Sequence, residues 1–139
     1  MTGKVFVDSN VLIYAHNIDA GPKHRLAAQC LNNLWQSRLG RLSTQVMQEF
    51  YVNVTRKIPK PLSAGLAREI LRQYNSWVES LISTQTVLRA AEIADSSGLS
   101  FWDAMIVAAA EEVGAQELLT EDLSHGQVIV GVRITSPFR

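Results

Sequence analysis

The stretch VFVDSNVLIYA, residues 5–15, places one carboxylate between two apolar runs. β-Branched and aromatic side chains over residues 4–7 predict a short buried strand. The residues that follow Asp8 predict a short helix, which Asp8 or Ser9 could cap. A helix cap is a sufficient explanation of Asp8 only while this stretch is considered alone.

The first strand begins an alternation of strands and helices. Further strands are predicted at residues 41–44, 80–84, 117–120 and 128–135. Helices are predicted after Pro22, over residues 45–58, after a cap at Ser63, from Thr86 to Gly98, and from Ser100 onward. This order predicts an α/β fold with a mainly parallel sheet and helices on both faces. Such sheets bind ligands outside the carboxyl ends of their strands.

Length and composition narrow the class of protein. The 139 residues match one ordinary domain, and Lys plus Arg balance Asp plus Glu at 13 each. Because the chain has no net charge, any electrostatic attraction for nucleic acid must come from a local cluster of basic residues. The longest apolar run, AMIVAAA at residues 104–110, is too short to span a membrane, and Cys30 has no internal disulfide partner. We therefore expect a single cytoplasmic domain over residues 1–139, with no membrane contact.

Four acidic residues fall where this fold would hold a ligand. Asp8 follows the first strand, and Asp122 follows the strand at 117–120. Glu49 lies one turn into the helix after the second strand, and Asp103 lies in the first turn of the last helix. Individually, each has a structural explanation as a cap, a turn residue or a solvated helix residue. Four unrelated residues of these kinds have no reason to gather at one sheet edge, so together they predict an acidic site.

Clustered carboxylates repel one another unless a cation or a proton neutralises them. Mg²⁺ or Mn²⁺ prefers oxygen ligands and can activate water for attack on a phosphodiester. The three histidines, His16, His24 and His125, share no ligand spacing and are interpreted as surface or turn residues. The acidic set therefore predicts a hard divalent cation rather than zinc.

At these residues the sequence resembles the PIN-domain family, and in particular the VapC-like toxins of toxin–antitoxin pairs. The resemblance covers nearly the whole chain. Its motifs are VDSNVLIYA at 7–15, STQVMQEF at 43–50, LSFWDAMIVAAA at 99–110, LLTEDLSHGQ at 118–127 and the closing GVRITSPF at 131–138. The four acidic positions occur in the family's order and at its spacing.

The resemblance implies a three-layer α/β/α sandwich and metal-dependent endoribonuclease activity that leaves a 5′-phosphate and a 3′-hydroxyl. Asp8 and Asp103 match the positions most often assigned as direct Mg²⁺ ligands. Glu49 and Asp122 would complete the site directly or through water. The positions of Asn10 and Thr120 imply support of the site through hydrogen bonds. The direction of Glu121, next to Asp122, stays open.

Substrate and partner surfaces are less specific in the sequence. Basic residues that either bind the RNA backbone or form a solvated helical tip are Arg56, Lys57, Lys60, Arg68 and Arg72. The aromatic residues Tyr14, Phe101 and Trp102 could stack on bases, although core packing is the favoured interpretation. The resemblance also implies a homodimer and a small antitoxin that packs on the helices at 22–38 and 45–58. Candidates for exposed aromatic surface are Trp35, Tyr51 and Trp77, although a core position is the favoured interpretation of Trp35.

Two other functions are compatible with an α/β fold of this kind. A non-catalytic PIN module would bind RNA or a protein partner without cleavage, and the intact acidic set argues against it. A phospho-acceptor receiver domain needs an acceptor Asp after a middle strand and a Lys late in the chain. No lysine follows Lys60, so the receiver hypothesis is disfavoured.

Overall fold

A computed structural model describes residues 3–139 as a five-stranded sheet with six α-helices. The strands are β1 Val5–Val7, β2 Gly40–Arg41, β3 Glu117–Leu119, β4 Val128–Ile129 and β5 Val132–Thr135. The helices are α1 Ser9–Ala15, α2 Pro22–Ser37, α3 Thr44–Arg56, α4 Ala64–Tyr74, α5 Thr84–Ser97 and α6 Phe101–Glu112. The expected α/β architecture is confirmed.

The sheet is parallel except at one edge. Its strand order is β2, β1, β3, β5, β4, and only the β4–β5 pair is antiparallel. Every residue of β1 is buried, as expected for a central parallel strand covered on both faces. Val7 pairs with Leu119 across β1 and β3. The next residues along these two strands, Asp8 and Thr120, are therefore neighbours at the carboxyl edge of the sheet.

The helices pack in two groups that enclose the sheet. One group contains α1, which contacts α2 and α3, while α3 also contacts α4. The other contains α5 and α6, and α6 lies against β3 and β5. Seven consecutive residues of α6, from Ala104 to Ala110, are buried, because this helix is covered by α5 on one side and the sheet on the other. No helix in residues 3–139 has the length and apolar character needed to cross a membrane.

The predicted strand at residues 80–84 is wrong. Residues 80–83 are an irregular connection in which Leu81 is 75% exposed, and Thr84 is already the first residue of α5, so this segment does not pair into the sheet. Ser83 instead begins α5: its hydroxyl accepts from the Thr86 amide at 3.3 Å, and the Thr86 hydroxyl accepts from the Ser83 amide at 3.1 Å. This reciprocal cap outweighs the weak strand propensity of a five-residue run.

The last predicted strand, residues 128–135, is divided into two. Val130 and Gly131 both have positive φ values, 44° and 83°, and reverse the chain between β4 and β5. Two-residue hairpin loops favour such a conformation because it matches the twist of the flanking strands. The second strand, predicted at 41–44, ends at Arg41 because Ser43 already accepts from the Val46 amide as the cap of α3.

Candidate active site

Asp8 is a buried carboxylate at the junction of β1 and α1. Its side chain is 6% exposed, and its backbone amide donates to the Leu119 carbonyl at 3.0 Å, which extends the pairing of β1 with β3. Asp8 is also the N-cap of α1, since its Oδ1 accepts from the Ser9 amide at 2.7 Å. Asp8 rather than Ser9 therefore caps this helix, and the cap coexists with a place in the acidic site.

Two polar side chains, Asn10 and Thr120, join Asp8 to the end of β3. The Thr120 hydroxyl donates to Asp8 Oδ2 at 2.9 Å, and Thr120 is fully buried. The Asn10 amide nitrogen lies 3.3 Å from Asp8 Oδ2, 3.1 Å from Thr120 Oγ1 and 3.0 Å from Asp122 Oδ2. Asn10 Oδ1 in turn accepts from the Glu121 amide at 3.2 Å. The structure thus brings Asp8, Asn10, Thr120 and Asp122 into one hydrogen-bonded cluster.

Burial raises the pKa of Asp8 from 3.8 to about 6. Hydrogen bonds from Thr120 and Ser9 oppose this shift, whereas the negative charges of Glu49 and Asp122 add to it. The surroundings of Asp8 therefore favour its neutral, protonated form over the carboxylate. A cation bound beside Asp8 would offset this cost and favour the carboxylate form, as is expected of a metal ligand.

Glu49 and Asp103, the other two residues of the predicted acidic set, lie outside this hydrogen-bond cluster. Glu49, in α3, is half-buried and close enough for its charge to raise the pKa of Asp8. Asp103, in the first turn of α6, is half-buried, and its backbone amide donates to the Ser100 cap at 3.1 Å. The first turns of α3 and α6 are linked, because the buried Gln45 side chain reaches the Trp102 carbonyl, with Nε2 3.5 Å from the oxygen.

The carboxylate oxygens are suitable ligands for a hard divalent cation, but the side chains are widely spaced. Within residues 3–139, no three acidic, histidine or cysteine side chains are grouped closely enough to form a ready-made metal cluster. The oxygen donors at this edge are carboxylates, and one of them is buried with an elevated pKa. A site of this kind suits Mg²⁺, which keeps several waters and uses only one or two carboxylates directly.

The side chain of Glu121 points away from the cluster that contains Asp122. Its Oε2 accepts from the Tyr14 hydroxyl at 2.7 Å, and its Oε1 lies 2.7 Å from the Lys23 ammonium. Lys23 also lies over the rings of Tyr14 and Phe138, at 5.0 and 5.3 Å from their centroids. Burial raises the pKa of Glu121, but the bonds from Lys23 and Tyr14 outweigh it and the net shift is downward. The sequence analysis did not predict these contacts of Glu121, since neither Lys23 nor Tyr14 belongs to a recognisable ligand pattern.

The predicted basic residues lie at the end of α3, in the loop that follows it and on α4. Arg68 and Arg72 line a groove of about 580 Å³ between α3 and α4, together with Met47, Leu71 and Asn75. Arg72 is paired with Glu69 at 2.9 Å on the same helix. Lys60 lies 3.9 Å from Asp19, and Arg56 and Lys57 are exposed at the end of α3. Arg68 and Arg72 therefore share one groove, and a role of the basic residues in RNA binding stays a prediction.

The aromatic predictions are corrected in two places. Trp102 is 66% exposed, so the favoured expectation of core packing is wrong for this residue. Trp77 is buried at 3% exposure, so its candidacy as exposed surface is also wrong. Trp35 is 36% exposed, with its ring 4.7 Å from that of Trp77. Phe101, Tyr14 and Tyr51 are half-buried.

The histidines have structural partners. His16 Nε2 lies 3.0 Å from the Tyr74 hydroxyl, and His24 Nδ1 lies 3.0 Å from the Tyr14 carbonyl oxygen. His125 Nδ1 accepts from the Ser136 amide at 3.0 Å. None of them belongs to a metal-ligand group within residues 3–139.

Several solved structures share this fold. A toxin–antitoxin complex from Klebsiella pneumoniae has a TM-score of 0.68 and 20% identity, over 96% of this chain and 98% of that one. DNA-bound VapBC from Salmonella typhimurium has a TM-score of 0.64 and 20% identity, over 97% and 98%. VapC20 from Mycobacterium tuberculosis, a Sarcin-Ricin loop cleaving toxin, has a TM-score of 0.60 and 21% identity, over 83% and 87%.

A comparison with curated protein sequences returned no match. The PIN domain family model, in contrast, matches residues 5–128 and so includes Asp8, Glu49, Asp103 and Asp122. This match argues against the hypothesis that the chain is a phospho-acceptor receiver domain. Since this family model spans most of the sequence, the chain belongs to the PIN domain family.

Proposed function

We propose that this PIN domain is a Mg²⁺-dependent endoribonuclease and the toxin of a toxin–antitoxin pair, with Mn²⁺ as a possible substitute ion. The observation that carries the proposal is the buried Asp8 carboxylate, which is hydrogen-bonded to Thr120 and raised in pKa beside two further acidic residues. Burial of a carboxylate near other negative charges costs stability that the cap and the Thr120 bond only partly offset, so such an arrangement is typical of a functional site.

Asp8 and Asp103 would hold the cation directly, and Glu49 and Asp122 would hold it directly or through water. When bound, the ion supplies an activated water and neutralises charge on the phosphodiester. Asn10 and Thr120 orient the Asp8 carboxylate, since both place a donor within hydrogen-bond distance of Oδ2. Asn10 also orients Asp122, so one amide sets the relative position of two carboxylates.

Cleavage of a single-stranded oligoribonucleotide in Mg²⁺ tests the activity. Wild type is expected to cut, whereas Asp8→Asn and Asp103→Asn are expected to lose at least 100-fold in rate, on the order of a lost metal ligand. Asp95→Asn is a matched control, because Asp95 is an exposed aspartate on α5. Equal cleavage by wild type and a folded Asp8→Asn protein would contradict the proposal and indicate a contaminating nuclease.

Isothermal titration with Mg²⁺ and Mn²⁺ separates this function from a non-catalytic PIN module. The nuclease proposal expects saturable binding that Asp8→Asn abolishes and Asp95→Asn retains. Absence of binding to the wild-type protein would favour the non-catalytic alternative.

The toxin role is supported by the fold shared with two structures described as toxin–antitoxin or VapBC complexes. The helices expected to receive an antitoxin, α2 and α3, expose Leu26, Trp35 and Val52 at 41%, 36% and 41%. A small antitoxin and a second copy of the chain are therefore proposed partners, and RNA as substrate would place the protein in the cytoplasm. Induction of wild type is expected to arrest growth, and induction of Asp8→Asn is expected not to.

A further inference from the structure

We propose that Trp102 is a base-stacking residue that positions one nucleotide of the RNA beside the acidic site. This inference rests on the ribonuclease function proposed above. Trp102 is two-thirds exposed, although it is the largest side chain of the LSFWDAM motif and directly precedes Asp103. Singly exposed apolar side chains are common on protein surfaces, so what distinguishes Trp102 is its place in the first turn of α6, directly before Asp103.

The backbone of Trp102 is held firmly while its ring remains free. The Gln45 side chain, only 7% exposed, lies with Nε2 3.5 Å from the Trp102 carbonyl. Ser100, two residues before Trp102, caps α6 by accepting from the Asp103 amide at 3.1 Å. The ring of Phe101 contacts that of Trp102 edge to face, with centroids 5.3 Å apart and planes at 77°. Such an edge contact limits the indole's orientation while leaving ring surface available for stacking.

The location of Trp102 favours RNA as the occupant of this surface. Its helix begins beside the first turn of α3, the helix that carries Glu49 one turn later. A nucleotide that flanks a bond cleaved at the acidic edge would therefore pass close to the indole. Base stacking requires no positive charge, which suits a site made of carboxylates in a chain of zero net charge.

Binding is measured with a fluorescently labelled single-stranded oligoribonucleotide of mixed sequence, in the non-cleaving Asp8→Asn background. Adding Trp102→Ala is expected to weaken binding by roughly five- to a hundredfold, the range for loss of one stacked base, and Trp102→Phe is expected to retain most of it. Because stacking is not electrostatic, the fold-change is expected to be the same at low and high salt. Leu81→Ala is the control, since it removes another exposed apolar side chain and is expected to leave binding unchanged.

The position of the stacked base is found with a series of oligonucleotides that each carry one abasic residue. At one position, and only there, removal of the base is expected to abolish the difference between the tryptophan and alanine proteins. In otherwise wild-type protein, Trp102→Ala is expected to raise KM more than it lowers kcat. Equal RNA binding by the tryptophan and alanine proteins would overturn the inference.

A change in oligomeric state caused by Trp102→Ala, measured by light scattering, would also overturn it and assign the indole to an interface between copies. The proposed nuclease function fails separately, if Asp8→Asn cleaves RNA as fast as wild type. Cleavage that depends on Asp8 but not on Trp102 would therefore refute the stacking role while leaving the nuclease function intact.

Discussion

Asn10 Nδ2 donates to Asp122 Oδ2 at 3.0 Å across 112 residues of sequence, and the same nitrogen lies 3.3 Å from Asp8 Oδ2. One neutral amide thus separates and orients two carboxylates. Asn10→Ala removes this donor and also the acceptor of the Glu121 amide. We expect a roughly 10- to 100-fold loss of Mg²⁺ affinity and of cleavage rate, as for other residues that orient metal ligands.

Isothermal titration and initial cleavage rates measure this loss. Asn33→Ala provides the control, since Asn33 is an exposed asparagine on α2. A folded Asn10→Ala protein with unchanged Mg²⁺ affinity would refute the orienting role.

The neighbouring carboxylates Glu121 and Asp122 are expected to differ sharply in importance. Both oxygens of Glu121 are engaged by Tyr14 and Lys23, whereas Asp122 Oδ2 faces Asn10 in the cluster. Glu121→Gln is therefore expected to change the cleavage rate by less than about threefold, while Asp122→Asn lowers it by at least tenfold. Parallel cleavage assays make the comparison. A larger loss for Glu121→Gln than for Asp122→Asn would reverse the two assignments.

His16 is expected to make the protein sensitive to acid. Burial, with a smaller effect of the His24 charge, lowers the pKa of His16 from 6.5 to about 4. Between these values the unfolded chain binds the proton and the folded chain does not. The stabilisation is therefore complete above pH 6.5 and is lost as the pH falls toward 4, by up to about 3 kcal/mol.

Urea unfolding across this pH range measures the effect. His16→Gln, which can still contact the Tyr74 hydroxyl, is expected to remove the His16 contribution, so that wild type loses stability relative to the variant as the pH falls from 6.5 toward 4. The raised pKa of Asp8 acts with the opposite sign, since its contribution decreases as the pH rises toward 6, so the difference between wild type and variant isolates His16. His125→Gln is the control, and an unchanged slope in His16→Gln would contradict this prediction.

Substitution by alanine is expected to change the free energy of unfolding differently at Gly40 and at Gly65. A Cβ on Gly40 would lie 2.7 Å from ring carbons of the buried Trp77, so Gly40→Ala is expected to cost about 1–3 kcal/mol of the free energy of unfolding. A Cβ on Gly65, near the start of α4, meets nothing closer than Arg68 Nη2 at 3.8 Å. Gly65→Ala is expected to be neutral or to stabilise by up to about 1 kcal/mol. Thermal or urea unfolding compares the pair, and equal stability of both variants would contradict the packing argument.

The sequence by itself determined the architecture and the candidate acidic residues. Alternating strand and helix patterns predicted the parallel sheet, because each pattern depends on which face of a local segment is apolar. The run VFV, with its β-branched and aromatic residues, identified an interior strand, since a short strand that is covered on both faces is continuously apolar. The failure at residues 80–84 has the same origin: a short apolar run carries little information, and the local cap between Ser83 and Thr86 overrode it.

Tertiary structure decided what each side chain near the acidic edge contacts. The pairing of Val7 with Leu119 is what places Asp8 beside Thr120, and no local pattern encodes the register between segments 112 residues apart. The same long-range packing directs Glu121 to Tyr14 and Lys23, away from Asp122, and leaves Trp102 exposed while Trp77 is buried. Hydrophobic periodicity is a property of local sequence, whereas hydrogen-bond partners and exposure arise only when distant segments meet.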